Sequence, residues 1–471
     1  MNPQRITIAK ATLVVLFAVE NVSLSHAAWP TAHGNPSNTG FARVDTKAAT
    51  SPTVAVNVGN IAPGSNPVTA ADGTVYIGNL AGELIALHPD GSPYWRFKLN
   101  PEAGSIFSSP AVGGDGSIYV VSTASLGGTN PIHASFLHKF LPGGVWAFTT
   151  VFPKSTIYPF TDGGASAAPP NVWALGDREA IIVPVVYKGL GRSEVRVIAF
   201  STADGVIADK RVAIQVYDIN GSAPILQAVI DFFDHLITNF GGPAPLSLPL
   251  PEAGWPQPGV AIWEGTSYVW VADGIRGTVA YIFDPASGFT EILRYNDSAD
   301  RLSSPPVVLD NVPAAVVGTQ NGYFEILPQN FSISFADAIT AAPTRMANNL
   351  LAVIARSGQV IVINGSLAVG LPLNGPSIAS AAASCTHLFV SSTNELATFD
   401  MKTLTKIARF QWTDGGRNAP IIGPLGHVYA IAGSELFVFA PLQRAPFPFG
   451  TQTACDPPVS GGGVVAFPGT L

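Results

Sequence analysis

Asn66-Pro67-Val68-Thr69-Ala70-Ala71-Asp72-Gly73-Thr74-Val75-Tyr76-Ile77-Gly78 is echoed, 43 residues on, by Ser109-Pro110-Ala111-Val112-Gly113-Gly114-Asp115-Gly116-Ser117-Ile118-Tyr119-Val120. Each copy reads as a short strand, an Asp-Gly turn and a second strand of alternating β-branched and aromatic residues. Asp-Gly suits a two-residue hairpin turn, whose positive φ angles glycine adopts without strain. The first copy continues through Ala81-Gly82-Glu83-Leu84-Ile85-Ala86-Leu87, turns at Pro89-Asp90-Gly91 and ends in Tyr94-Trp95-Arg96-Phe97-Lys98-Leu99. Four strands joined by hairpins in about 40 residues make one propeller blade.

The opening signal, a small or polar residue before proline, recurs at Ala168-Pro169, Gln257-Pro258, Ser304-Pro305, Ala342-Pro343, Gly375-Pro376 and Ala419-Pro420. From Pro67 the spacings are 43, 59, 89, 47, 38, 33 and 44 residues, which makes eight units. The two longest spacings mark insertions in the third unit. The last unit, Ile421 to Phe439, holds only three strands, whereas Thr53-Val54-Ala55-Val56-Asn57-Val58 stands unpaired before the first. This offset predicts that the N-terminal strand completes the last blade. Closure also removes the open sheet edges that invite aggregation. The expected fold is therefore all-β: an eight-bladed propeller of four-stranded antiparallel blades, closed by an N-terminal strand.

Composition agrees. Among 471 residues there are 47 Gly and 40 Pro, too many breakers for a helical bundle or an α-solenoid. With 26 Phe, 11 Tyr and 8 Trp, the chain has ample apolar surface to bury. A net charge of -7 argues against a nucleic-acid surface, which needs a basic stripe.

Arg5 and Lys10, then the apolar run Ala11 to Val19 and the small residues of Ser25-His26-Ala27, read as a secretory signal. That run is far below the roughly 20 residues that cross a bilayer, and no later stretch is long enough. The expected organisation is a signal over residues 1–27, a propeller over 28–441 and a Pro/Gly-rich tail over 442–471. The expected location is periplasmic or secreted. Only Cys385 and Cys455 are present, and an oxidising compartment favours a bridge that pins the tail to the body.

The first unit resembles the PQQ-type propeller repeat of bacterial quinoproteins and of the outer-membrane assembly propeller. The residues that carry the likeness are Asp72-Gly73, Val75-Tyr76-Ile77-Gly78, Gly82, Ala86-Leu87, Gly91 and Trp95. The segment from Trp29-Pro30 to Asn38-Thr39-Gly40 is similar to the lead-in that such chains carry before their first blade. The resemblance implies that a blade's closing Trp packs on the Ala and Gly of the next blade, a part that Trp95, Trp146 and Trp412 can play. For PQQ-dependent oxidation it implies adjacent cysteines, a calcium held by carboxylate and amide, and a catalytic Asp. Cys385 and Cys455 are far apart, and no Cys-x-x-Cys-His supplies a haem. No cofactor is expected; PQQ with calcium is the alternative.

Other catalytic patterns are weaker still. There is no Gly-x-Ser-x-Gly elbow and no His-Glu-x-x-His helix. His133 and His138, the closest histidines of the exported chain, stand five apart in what reads as an irregular loop. The Asp-Gly pairs at Asp72, Asp90, Asp115 and Asp204 lack the spacing of a calcium loop and suit turns. An acid pair converging from different blades for hydrolysis or elimination stays open.

One insertion, about 211–256, breaks the β pattern between units three and four. Leu226, Val229, Ile230, Phe233, Ile237 and Phe240 fall on one helical face between Ser222 and Gly241. Such a helix docks on the propeller rim or offers its apolar face to a protein partner. The function expected is a non-catalytic envelope scaffold for a protein or small ligand, with a quinoprotein-like oxidoreductase, hydrolase or lyase as the alternative.

Overall fold

The computed structural model describes residues 29–441 apart from 101–102, 127–131, 154–167, 190–191, 207–212, 219–257, 275–276, 297–303, 310–313, 328–330, 336, 347–349, 365–366 and 414. Eight antiparallel sheets form an eight-bladed propeller, seven of four strands and the second of five. The first strands of blades 1 to 8 are Val68–Thr69, Ala111–Val112, Asn171–Leu175, Gly259–Ile262, Val307–Val308, Thr344–Arg345, Ala382–Ala383 and Ile421–Ile422. Neighbouring first strands approach one another, so these are the inner strands around the axis. The fourth strands form the rim: Pro93–Lys98, Trp146–Val151 and Lys406–Gln411 alternate between exposed and half-buried residues. The apolar cores lie between blades, as where Tyr76, Leu84 and Ala86 of blade 1 pack with Ile118, Val120 and Phe140 of blade 2.

The repeat's turn differs from the expected one. Ala70 N–H donates to Thr74 C=O and Gly73 N–H to Ala70 C=O, both at 3.0 Å, enclosing three residues rather than two. Only the glycine has positive φ (87°), whereas a type I′ turn needs it at both central residues. Asp72 instead accepts the Thr74 N–H on its carboxylate at 2.9 Å. Asp90 with Ser92 and Asp115 with Ser117 repeat the motif. These acids serve turns.

The marker Gly375-Pro376 also differs in place. Its blade begins at Ala382, so the true counterpart of Ser109-Pro110 is Ser380-Ala381, where proline is missing. The expected insertion starts later than 211, because Ala213–Asp218 is the fourth strand of blade 3, paired with Arg192–Val197. The helical stretch carrying Leu226 to Phe240, and the tail from 442, lie outside the described residues. In blade 8 the strand Val54–Asn57 lies antiparallel to Glu435–Phe439, with Val54 opposite Val438 and Asn57 opposite Glu435.

Candidate functional site at the axis

Residues 29–44 pass round the axis and bond to the ends of the inner strands in turn. Among the described residues, six inner strands donate one main-chain N–H each: Thr69 to Trp29, Val112 to Pro30, Ile262 to Pro36, Val308 to Ser37, Arg345 to Thr39 and Ala383 to Gly40, at 2.7–3.0 Å. Blade 3 joins through the Asn171 amide, which donates to the Pro36 carbonyl at 2.9 Å. Each inner strand is a sheet edge whose outward N–H groups need acceptors. The lead-in supplies them. This is why Val307, Val308, Ala382 and Ala383 can be wholly buried (0%) at the centre of a ring.

Side chains then fix the segment. Asn38 donates its amide to the carbonyls of Val260 (2.8 Å) and Pro306 (2.9 Å), tying blade 4 to blade 5. It does so from a left-handed backbone (φ 60°), which Asn tolerates better than most residues. Ser37 Oγ donates to Ile262 C=O at 2.7 Å. A Cβ on Gly40 would stand 3.0 Å from Thr344 Cγ2 and 3.2 Å from Ala381 O. His33 Nδ1 is buried without a hydrogen-bond partner, and desolvation lowers that imidazole to about 4. Trp29 is 1% exposed and joins the core of blades 8 and 1.

At the rim the predicted locks take different places. Trp95 lies on Gly144 of blade 2, where a Cβ would come within 2.7 Å of the indole. Trp412 stacks on Phe437 of blade 8 with centroids 6.4 Å apart and donates its Nε1–H to Ser392 C=O. Trp146 does not lock blade 2 to blade 3. It is 51% exposed and donates its indole N–H to Thr149 of its own strand. A bulge between Trp146 and Phe148 shifts the register, and Phe148 lies on Gly205 of blade 3 instead.

A polar junction between blades 2 and 3 was not legible in the sequence. Lys139 is buried where blade 1 has Ala86; it donates to Thr202 C=O of blade 3 at 2.7 Å, stands 3.5 Å from Asp115 and lies over the Tyr119 ring. Opposite, Glu179 accepts the Gly114 N–H at 2.7 Å, and burial, aided by the Asp115 charge, pushes its carboxyl up. This junction is an inter-blade latch. His138 lies on a strand, Ile132–Phe140, that also holds His133, not in a loop. Its ring bonds Ser122 Oγ and Thr149 Oγ1, both at 2.8 Å, and desolvation lowers it to about 4.

Cys385 carries no free thiol. It sits beside the lead-in, giving its N–H to Val44 C=O at 3.0 Å, while its expected partner Cys455 lies outside the described residues. No cysteines are adjacent, and among the described residues no three His, Cys, Asp or Glu side chains converge as a metal site. Main chain lines the inner strands of seven blades.

Fold and site together define an eight-bladed propeller whose inner strands are bonded by its own N-terminal segment. The fold is similar to that of BamB from Moraxella catarrhalis (TM-score 0.53, 10% identity, covering 85% of this chain and 100% of that one). It is equally similar to a europium-containing methanol dehydrogenase (TM-score 0.53, 11% identity, 87% and 90% covered). Both are propellers of the type the repeat resembles, and at these identities the likeness is one of fold. No family model matches the chain, and no curated protein matches it in sequence.

Proposed function

We propose that this protein is an exported, non-catalytic scaffold of the cell envelope, binding a protein partner on its faces and rim. The observation that carries the proposal is the lead-in bonded round the inner strands. Where a propeller could hold a small ligand among converging side chains, this chain has its own backbone bonded to seven blades. The rim meanwhile carries exposed apolar side chains, among them Tyr94 (47%), Trp146 (51%) and Ile407 (48%). No helix among the described residues is long and apolar enough to cross a membrane. The signal-like N-terminus supports export.

Two measurements test this function together. Titration with PQQ and calcium, followed by a dye-linked assay on alcohols and sugars, is expected to give neither stoichiometric binding nor turnover. Photo-crosslinkers at Tyr94 and Ile407, introduced in the producing cell, are expected to trap a discrete envelope protein. A tight PQQ complex with turnover would overturn the scaffold assignment.

A further inference from the structure

We propose that the ring of inner-strand ends around the axis is a peptide-binding site, which the chain occupies in cis with residues 29–44 and which accepts the same turn-containing segment supplied in trans. The ligand class is a peptide folded into successive turns, at Thr31–Gly34 and Asn35–Asn38, and recognised mainly through the carbonyl oxygens it presents to one blade after another.

The receptor is built without the lead-in. Each donor strand is held from behind by the second strand of its own blade: Val68–Thr69 by Val75–Tyr76, Val307–Val308 by Ala315–Val316, Ala382–Ala383 by Leu388–Phe389. The N–H groups of Thr69, Val112, Ile262, Val308, Arg345 and Ala383 are thereby aimed at the axis before anything occupies it. The closing strand Val54–Asn57 belongs to the ring, and exposed Thr50 and Ser51 stand between it and the lead-in. Nothing in the site's geometry uses that covalent link.

The site also selects. Asn38 must offer a carboxamide to two carbonyls on neighbouring blades, and position 40 combines a left-handed backbone (φ 64°) with tight contacts to Thr344 and Ala381. Trp29 gives the segment an apolar anchor at one end. An occupant therefore needs Trp, Asn and Gly in this spacing and a backbone that turns left-handed at the Asn and Gly positions. The proposal is independent of whether the rim binds a partner.

The test uses the full exported chain with a protease recognition sequence inserted between Thr50 and Ser51. After cleavage the ring keeps its closing strand, and residues up to 50 become a separate peptide. The cleaved protein is unfolded in urea and refolded with a molar excess of fluorescent synthetic peptide covering 29–50. The expected result is one labelled peptide per folded ring, displaced by unlabelled peptide. Peptides carrying Asn38→Ala or Gly40→Val should bind at least about tenfold more weakly, since each leaves buried groups unpaired or clashing. Should the ring refold only with peptide present, recovery of its circular dichroism on peptide addition supports the site equally. Refolded rings without label, no recovery of fold on addition, or equal binding of both variants would overturn it.

Discussion

At the axis, Ala382–Ala383 is wholly buried and gives the Ala383 N–H to the carbonyl of Gly40; at the rim, Pro93–Lys98 leaves alternate residues in water and is held by the Trp95 indole on Gly144. Six of the axial contacts are main-chain bonds, nearly indifferent to which side chains those strands carry. The rim contacts depend on one aromatic ring meeting one glycine. The inner strands should thus tolerate side-chain substitution, though the lead-in they bond should not tolerate deletion or change at Asn38 and Gly40, whereas the rim should respond to single residues.

The sharpest way to break this contrast is to remove residues 28–44 while keeping the closing strand. Six main-chain bonds at about 1 kcal/mol each, with the burial of Trp29, predict a loss on the order of 5–10 kcal/mol. Urea denaturation would measure it. A loss below about 1 kcal/mol would mean that the blades alone hold the axis.

Covalent support near the axis comes next. A bridge between Cys385 and Cys455 would close a loop worth roughly 4 kcal/mol in the chain-entropy account. Mass spectrometry of an unreduced digest should find the two peptides joined, and Cys385→Ser should lower the urea midpoint. Two separately alkylated peptides would rule the bridge out.

At the rim, Trp95→Ala should cost about 3 kcal/mol by emptying the contact with Gly144, and Phe148→Ala a similar amount against Gly205. Trp146→Ala, two residues before Phe148, should cost under about 0.5 kcal/mol because that ring is half exposed. Equal losses at Trp146 and Phe148 would show that the bulge does not choose between them.

The smallest effect is one of pH. His138 titrates at about 4 in the folded chain against 6.5 when unfolded. Between those values only the unfolded chain takes up the proton, so its stabilisation is full above pH 6.5 and falls as pH drops towards 4. From pH 7 to 5 the loss is about 2 kcal/mol. His138→Gln should flatten that slope, read as melting temperature against pH. His33, lowered to about 4 at the axis, should act likewise, and Asn in its place tells the two regions apart.

The blades were legible in the sequence because a hairpin repeat writes itself in side chains: glycine at each turn, alternating Val, Ile and Tyr in each strand. The offset between Val54 and Phe439 was legible for the same reason. Where side chains do not carry the contact, the signal fades. Ser380-Ala381 opens blade 7 without proline, so the visible Gly375-Pro376 drew the boundary too early. The bulge beside Trp146 inverts which aromatic faces the next blade, and no composition rule marks a bulge. The lead-in shows no period at all, because its partners are backbone groups scattered over seven blades. Its Trp, Asn and Gly were visible only as a family likeness.

The pairing that closes blade 8 also sets an order in time. Thr53 Oγ donates to Val438 C=O across 385 positions of sequence, whereas a blade's own hairpins close over a few. Gathering so long a loop costs roughly 2 kcal/mol more entropy than closing one of blade length, before any contact rewards it. Synthesis delivers the first half of this pair hundreds of residues before the second. Until the second arrives, the chain is an open arc with an unpaired edge at each end, the form most exposed to association with other chains. Passage across a membrane as an unfolded thread would postpone the whole ring to the far side, where both halves of the seam come together.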